Sequence, residues 1–112
     1  MSKQPIVYKS KVPAPYFPQL GLFDYLFPEA PGISPAPQFD PSSTAFIDGL
    51  SGRELTRGQL EDSARRLATG IRSLGIRRGD TVCLWGLNSI DWVLAAYGCL
   101  VTGVTVTPAN AA

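Results

Sequence analysis

The chain is predicted to be α/β, with an extended proline-rich arm, a β-hairpin, and a β-α-β unit that begins a parallel sheet. Three observations carry this. An apolar stripe at 3.6-residue spacing runs from Leu60 to Leu74, a nearly unbroken apolar run spans Thr81 to Trp85, and an uncharged helical segment separates that run from Val104-Thr105-Val106-Thr107. Seventeen residues lie between Gly86 and Val104, enough for a crossover between parallel strands.

The arm is residues 1–43. Nine of the ten prolines and only two of the eleven glycines fall in the first 41 residues. Proline fixes φ and pushes the preceding residue out of the helical region, so this stretch is expected to be extended, with one short helical turn near Leu22 to Phe27. Free linkers are poor in aromatics. Tyr8, Tyr16, Phe17, Phe23, Tyr25 and Phe27 therefore favour an arm that lies on a folded body.

The regular part is residues 44–112. Ala45-Phe46-Ile47-Asp48 and Arg53-Glu54-Leu55 read as hairpin arms around the turn Gly49 to Gly52. Thr56 with Gln59 three residues on is a capping box and starts a helix. Leu60, Ala64, Leu67, Ala68, Ile71 and Leu74 form its buried stripe. Glu61 with Arg65 and Asp62 with Arg66 solvate the other face as i,i+4 pairs. Gly70 predicts close approach to a neighbouring strand, and Gly75 ends the helix. The continuous run Thr81 to Trp85 indicates a strand covered on both faces. Asn88 is read as the cap of a second helix that has no charge after Asp91 and no polar face. Gly103 ends it, and Pro108 closes the last strand.

Composition excludes several functions. Ten basic and nine acidic residues give a net charge of +1, without the single-signed field that draws a protein to nucleic acid. There is no histidine, which removes the commonest general base and metal ligand. Cys83 and Cys99 have neither zinc-ligand nor framework spacing and read as reduced, buried residues of quiet reactivity. The N-terminus lacks the apolar core of a signal peptide, so an intracellular rather than secreted protein is expected. A membrane span over the uncharged residues 92–112 is weighed and set aside, because Gly98, Gly103, Pro108 and Asn110 interrupt it.

The stretch Phe46-Ile47-Asp48-Gly49, Arg53-Glu54-Leu55-Thr56, Gln59-Leu60, Leu67-Ala68-Thr69-Gly70 and Leu74-Gly75-Ile76-Arg77-Arg78-Gly79-Asp80-Thr81-Val82 resembles the N-terminal subdomain of adenylate-forming, AMP-dependent acyl-CoA synthetases. Asn88-Ser89 with Trp92, Gly98, Gly103 and Val104 to Asn110 continue the likeness in order. Tyr8-Lys9-Ser10-Lys11-Val12-Pro13 and Leu22 to Phe27 are similar to the 4-coumarate:CoA ligase branch. Leu87 stands where that family usually has proline. The resemblance implies a ligase that joins a carboxylic acid to coenzyme A through an acyl-adenylate, using ATP and Mg2+, in the cytoplasm or the peroxisome. It also implies a truncated segment. The family's phosphate-binding loop and its later nucleotide and lysine motifs are not among these residues.

No catalytic, cofactor-binding or metal-ligating residue is therefore assigned, and none of those cofactors is expected to bind the segment alone. Asp48, Asp80 and Asp91 read as turn and cap carboxylates. Arg77 and Arg78 suit a helix end, where the dipole favours cations, better than they suit phosphate binding. The stretch Gly75 to Gly79 is not a Walker loop, and Gly86-Leu87-Asn88 lacks the glycines of a dinucleotide fingerprint. The expected partner is the rest of a synthetase chain or a homologous chain. The alternative is a short non-catalytic protein that pairs through its apolar helix and open strand edge.

Overall fold

A computed structural model describes residues 6–110; the first five residues of the predicted arm and the last two of the chain lie outside them. The elements in order are α1 (Leu22–Leu26), β1 (Thr44–Ile47), β2 (Glu54–Thr56), α2 (Arg57–Ser73), β3 (Thr81–Trp85), α3 (Ile90–Thr102) and β4 (Thr105–Ala109). β1 and β2 pair antiparallel, with the register shifting between Thr44 and Phe46. β3 and β4 pair parallel, from Thr81 opposite Thr105 to Trp85 opposite Ala109. Mixed α/β architecture with a crossover through α3 is thus present as expected.

α2 begins where its residues require. The Thr56 hydroxyl accepts from the Gln59 amide and the Gln59 side chain accepts from the Thr56 amide, completing the capping box. Two further amide groups of the first turn are satisfied by the arm: Arg57 N–H donates to Ser43 O and Gly58 N–H to Pro41 O, both at 2.9 Å. Gly58 is needed there, because a Cβ would stand 3.2 Å from both Pro41 Cβ and Pro41 O. Gly75, at φ 83°, follows the last turn as predicted.

The core sits between the hairpin and the two long helices. Leu55, Leu60 and Ile90 form its centre, with Phe46, Val93, Leu94 and Tyr97 against them. The arm reaches this core through α1. Phe23 is buried, its ring centroid lies 4.9 Å from that of Phe27, and Phe27 meets Tyr97 edge to face at 6.4 Å. Arg65 ties the same segment down by donating to Phe27 O while its guanidinium lies over Phe23. The docked half of the arm is therefore the aromatic half beyond residue 20. Nearer the N-terminus, Tyr8, Tyr16 and Phe17 are exposed, so the expected contact with the body is made by only part of the arm.

Several local expectations are corrected. Gly70 meets nothing within 4 Å, whereas Gly98 of α3 makes the close approach, its absent Cβ leaving room for Leu67 of α2. The cap of α3 is Ser89 rather than Asn88: Ser89 is extended, and its Oγ accepts from the Trp92 amide at 3.1 Å. The stripe of α2 is covered at Leu60, Ala64 and Ala68 but open at Leu67 and Leu74. β4 runs through Pro108, which pairs with Leu84 instead of ending the strand. Proline is tolerated in a strand that has an open outer edge.

The largest difference concerns β3. Its exposure alternates: Val82 and Leu84 are partly covered, and Thr81, Cys83 and Trp85 are open. One helix covers one face, so the doubly covered strand that the apolar run implies has a single covering layer here. Cys83 is accordingly exposed, contrary to expectation, while Cys99 is buried as expected and both are free thiols.

Candidate functional site

In open parallel sheets, ligands bind outside the carboxyl ends of the strands. Here that edge is the loop from Gly86 to Ser89 after β3, together with the end of β4. Two depressions flank the loop. The apolar one, about 540 Å³, is lined by Cys83, Trp85, Leu87, Trp92 and Ala95. The smaller one, about 220 Å³, lies between the hairpin turn and the start of α3 and is lined by Asp48, Asn88 and Ser89 together with the apolar Phe46, Ile90 and Val93.

Three polar side chains at this edge, those of Asp48, Ser89 and Asp91, are already engaged. Asp48 accepts from the Leu50 amide at 2.9 Å and the Ser51 amide at 3.3 Å, closing the hairpin turn. Those donors hold its carboxyl below the ordinary aspartate range. Asp91 in the first turn of α3 pairs with Arg53 at 3.4 Å across an exposed gap. Asp80 lies at the far end of β3 and accepts from the Arg77 amide at 2.7 Å. The three carboxylates are thus turn and first-turn groups at separate places.

The Ser89 hydroxyl is taken by its capping bond. Burial pushes the Cys99 thiol up, away from the thiolate that a nucleophile requires. Arg77 and Arg78 line a depression below the C-terminal end of α2, away from the 86–89 loop. Sequence reasoning missed the arm carbonyls of Pro41 and Ser43 as partners of α2, because the hairpin separates them from the helix along the chain and no local pattern reports the contact.

The same groups decide how ATP and Mg2+ would fare here. Among the described residues, no three His, Cys, Asp or Glu side chains are grouped so as to hold a metal ion. The 86–89 loop offers the Ser89 hydroxyl, which caps α3, the Asn88 carboxamide, and no basic side chain. These residues do not fit a magnesium triphosphate.

What the edge does offer is apolar surface. Trp85 and Leu87, each more than 70% exposed, lie on it. Among the described residues, no helix is long and apolar enough to cross a membrane.

The fold and this edge define a class: an α/β unit with an antiparallel hairpin and a parallel β-α-β pair whose outer edges are open. A family model described as AMP-binding enzyme matches residues 35–112, and the chain belongs to that family. It is 38% identical over 105 residues to 4-coumarate–CoA ligase 4 of Arabidopsis thaliana, an alignment covering 93% of this chain and 18% of that protein. Among solved structures, a fatty acyl CoA synthetase of Mycobacterium tuberculosis matches with a TM-score of 0.59 and 30% identity, over 63% of this chain and 14% of that one. An anthranilate CoA ligase in complex with anthranoyl-AMP matches with a TM-score of 0.59 and 28% identity, over 63% and 13%. The chain therefore spans about a fifth of the length of the curated relatives it matches.

Proposed function

We propose that these residues are the opening framework of an acid–CoA ligase. The complete enzyme joins a carboxylate to ATP, giving an acyl-adenylate and pyrophosphate, and the thiol of coenzyme A then displaces AMP to leave a thioester. Magnesium neutralises the phosphates when bound. The observation that carries this reading is the colinear match, which runs through the arm as well as the folded part. This chain's own residues pack the hairpin, α2 and α3 into one support and present β3 and β4 for further strands. The partner is the remainder of a synthetase chain, and the setting is the cytoplasm or the peroxisome. A second reading, pairing with a homologous chain, is favoured by the same exposed apolar area.

The test is a chimera in which residues 1–112 replace the matching segment of the Arabidopsis relative. The account expects pyrophosphate release that depends on ATP and 4-coumarate, followed by thioester formation with coenzyme A. A soluble, folded chimera without adenylate formation would overturn the ligase reading. Turnover by the 112-residue chain alone would overturn its role as framework.

A further inference from the structure

Three arginines converge on one depression on the side of the molecule where α2 and α3 both end. Arg72, Ile76, Arg77, Arg78 and Thr102 line a concave space of about 360 Å³, at the small end of the range in which small-molecule sites fall. Arg72 comes from the last turn of α2, and Arg77 and Arg78 from the connection to β3. Thr102 closes the floor as a buried residue whose hydroxyl donates to Cys99 O at 2.7 Å.

The ordinary account of such residues is that cations settle against helix C-termini. Arg72 fits it, donating to Val101 O at 3.4 Å. Arg78 fits it in its stem alone. Gly103, at φ 74°, leaves the space its own Cβ would fill, and Arg78 Cγ and Cδ occupy positions 3.3 and 3.6 Å from that point. The stem is thus laid across the turn after α3 while the residue stays exposed. Among the described residues, no carboxylate stands within ion-pair distance of Arg72, Arg77 or Arg78, whereas Arg53 and Arg66 each have one and Arg65 has two. The one acid of the connection, Asp80, spends a carboxylate oxygen on the Arg77 amide.

We infer that this depression binds a phosphate-type dianion: the phosphate of a small phosphomonoester or of an anionic lipid headgroup. Three arginines lining one concavity, with neither their charge nor most of their donors matched by the protein, can supply the planar forks that phosphate oxygens satisfy in pairs. Dependence on the ligase reading is nil, since the site uses no residue assigned to that chemistry and lies away from the 86–89 loop.

The test uses the 112-residue chain, with circular dichroism to show that each variant keeps its helix content. Titration with inorganic phosphate and with pyrophosphate is followed by amide shifts at Arg77, Arg78 and Gly103. Co-sedimentation with phosphatidylcholine vesicles, with and without phosphatidic acid, forms the second arm. Binding in the first arm alone assigns a soluble phosphate, and binding that also requires phosphatidic acid in the second assigns a headgroup; either supports the site.

The double variant Arg77→Ala/Arg78→Ala is expected to weaken binding about tenfold or more. Arg66→Ala, which removes the partner of Asp62, leaves it unchanged. Arg77→Lys/Arg78→Lys keeps the charge without the fork and falls between them, and it stands in for the alanine variant if that loses helix content. No binding in either arm, or binding indifferent to both double variants, overturns the proposal.

Discussion

Replacing Gly98 and Gly70 by alanine, one at a time, asks the same chemical change to act on two helices in opposite directions. Both positions lie inside helices, so each variant gains about 1 kcal/mol of helix propensity. At Gly70 nothing stands within 4 Å of the added methyl, and the gain is free. At Gly98 the methyl would lie 2.8 Å from Leu67 Cβ and 3.6 Å from Ala64 O and Ile71 Cδ1. Leu67 Cβ is the stem of a side chain fixed to the α2 backbone and cannot swing aside. Restoring even a tight contact of 3.4 Å requires the helices to part by 0.6 Å, the difference between those two distances. The packing lost with fully buried Ala64 and Ala68 follows from that separation. Overpacking of this kind costs about 1 to 3 kcal/mol.

The propensity gain is common to both variants, so the difference between them isolates the overpacking cost. Thermal unfolding followed by helix circular dichroism should place Gly98→Ala about 4 to 12 °C below Gly70→Ala. Equal midpoints, or Gly98→Ala the more stable, would refute the close α2–α3 contact.

The α3 cap and the hairpin turn give two more predictions. Ser89→Ala should cost about 1 kcal/mol by freeing the Trp92 amide, and Asn88→Ala should change stability by less than about half of that, both read from urea midpoints. Asp48 is bonded only as a carboxylate. Its pKa in the folded chain lies below the unfolded value, so its contribution is full above the unfolded value and is lost as the pH falls through the folded one. A carboxyl-carbon titration should show the Asp48 midpoint below that of the same residue in urea, and a midpoint equal to or above it would contradict the turn geometry.

Features set by neighbours along the chain were legible in the residues. The Thr56–Gln59 box, the Gly75 and Gly103 stops and the Glu61–Arg65 and Asp62–Arg66 pairs follow from short-range pattern, and the parallel pairing of β3 with β4 follows from the length of the crossover between them. What failed depends on partners distant in sequence. Whether Gly70 or Gly98 makes the close approach is decided by which face of each helix meets the other. An apolar run reports what a strand prefers to have around it, and Cys83 and Trp85 are open because only α3 covers β3. Asn88 and Ser89 are both good caps, and the choice rests on which of them adopts extended backbone one residue before the first helical turn. Asp48 was legible as a turn carboxylate because its partners, the Leu50 and Ser51 amides, are local, whereas the pairing of Asp91 with Arg53, far back in the chain, was not.

On the proposed framework role, β3, β4 and α3 await cover from further chain. Amide hydrogen exchange over residues 81–85 and 105–109 tests it most directly, comparing the 112-residue chain with the chimera. The account predicts fast exchange in the short chain, at least about tenfold slower in the chimera, with the α2 amides changing less. Equal and strong protection of both strands in the short chain would contradict it.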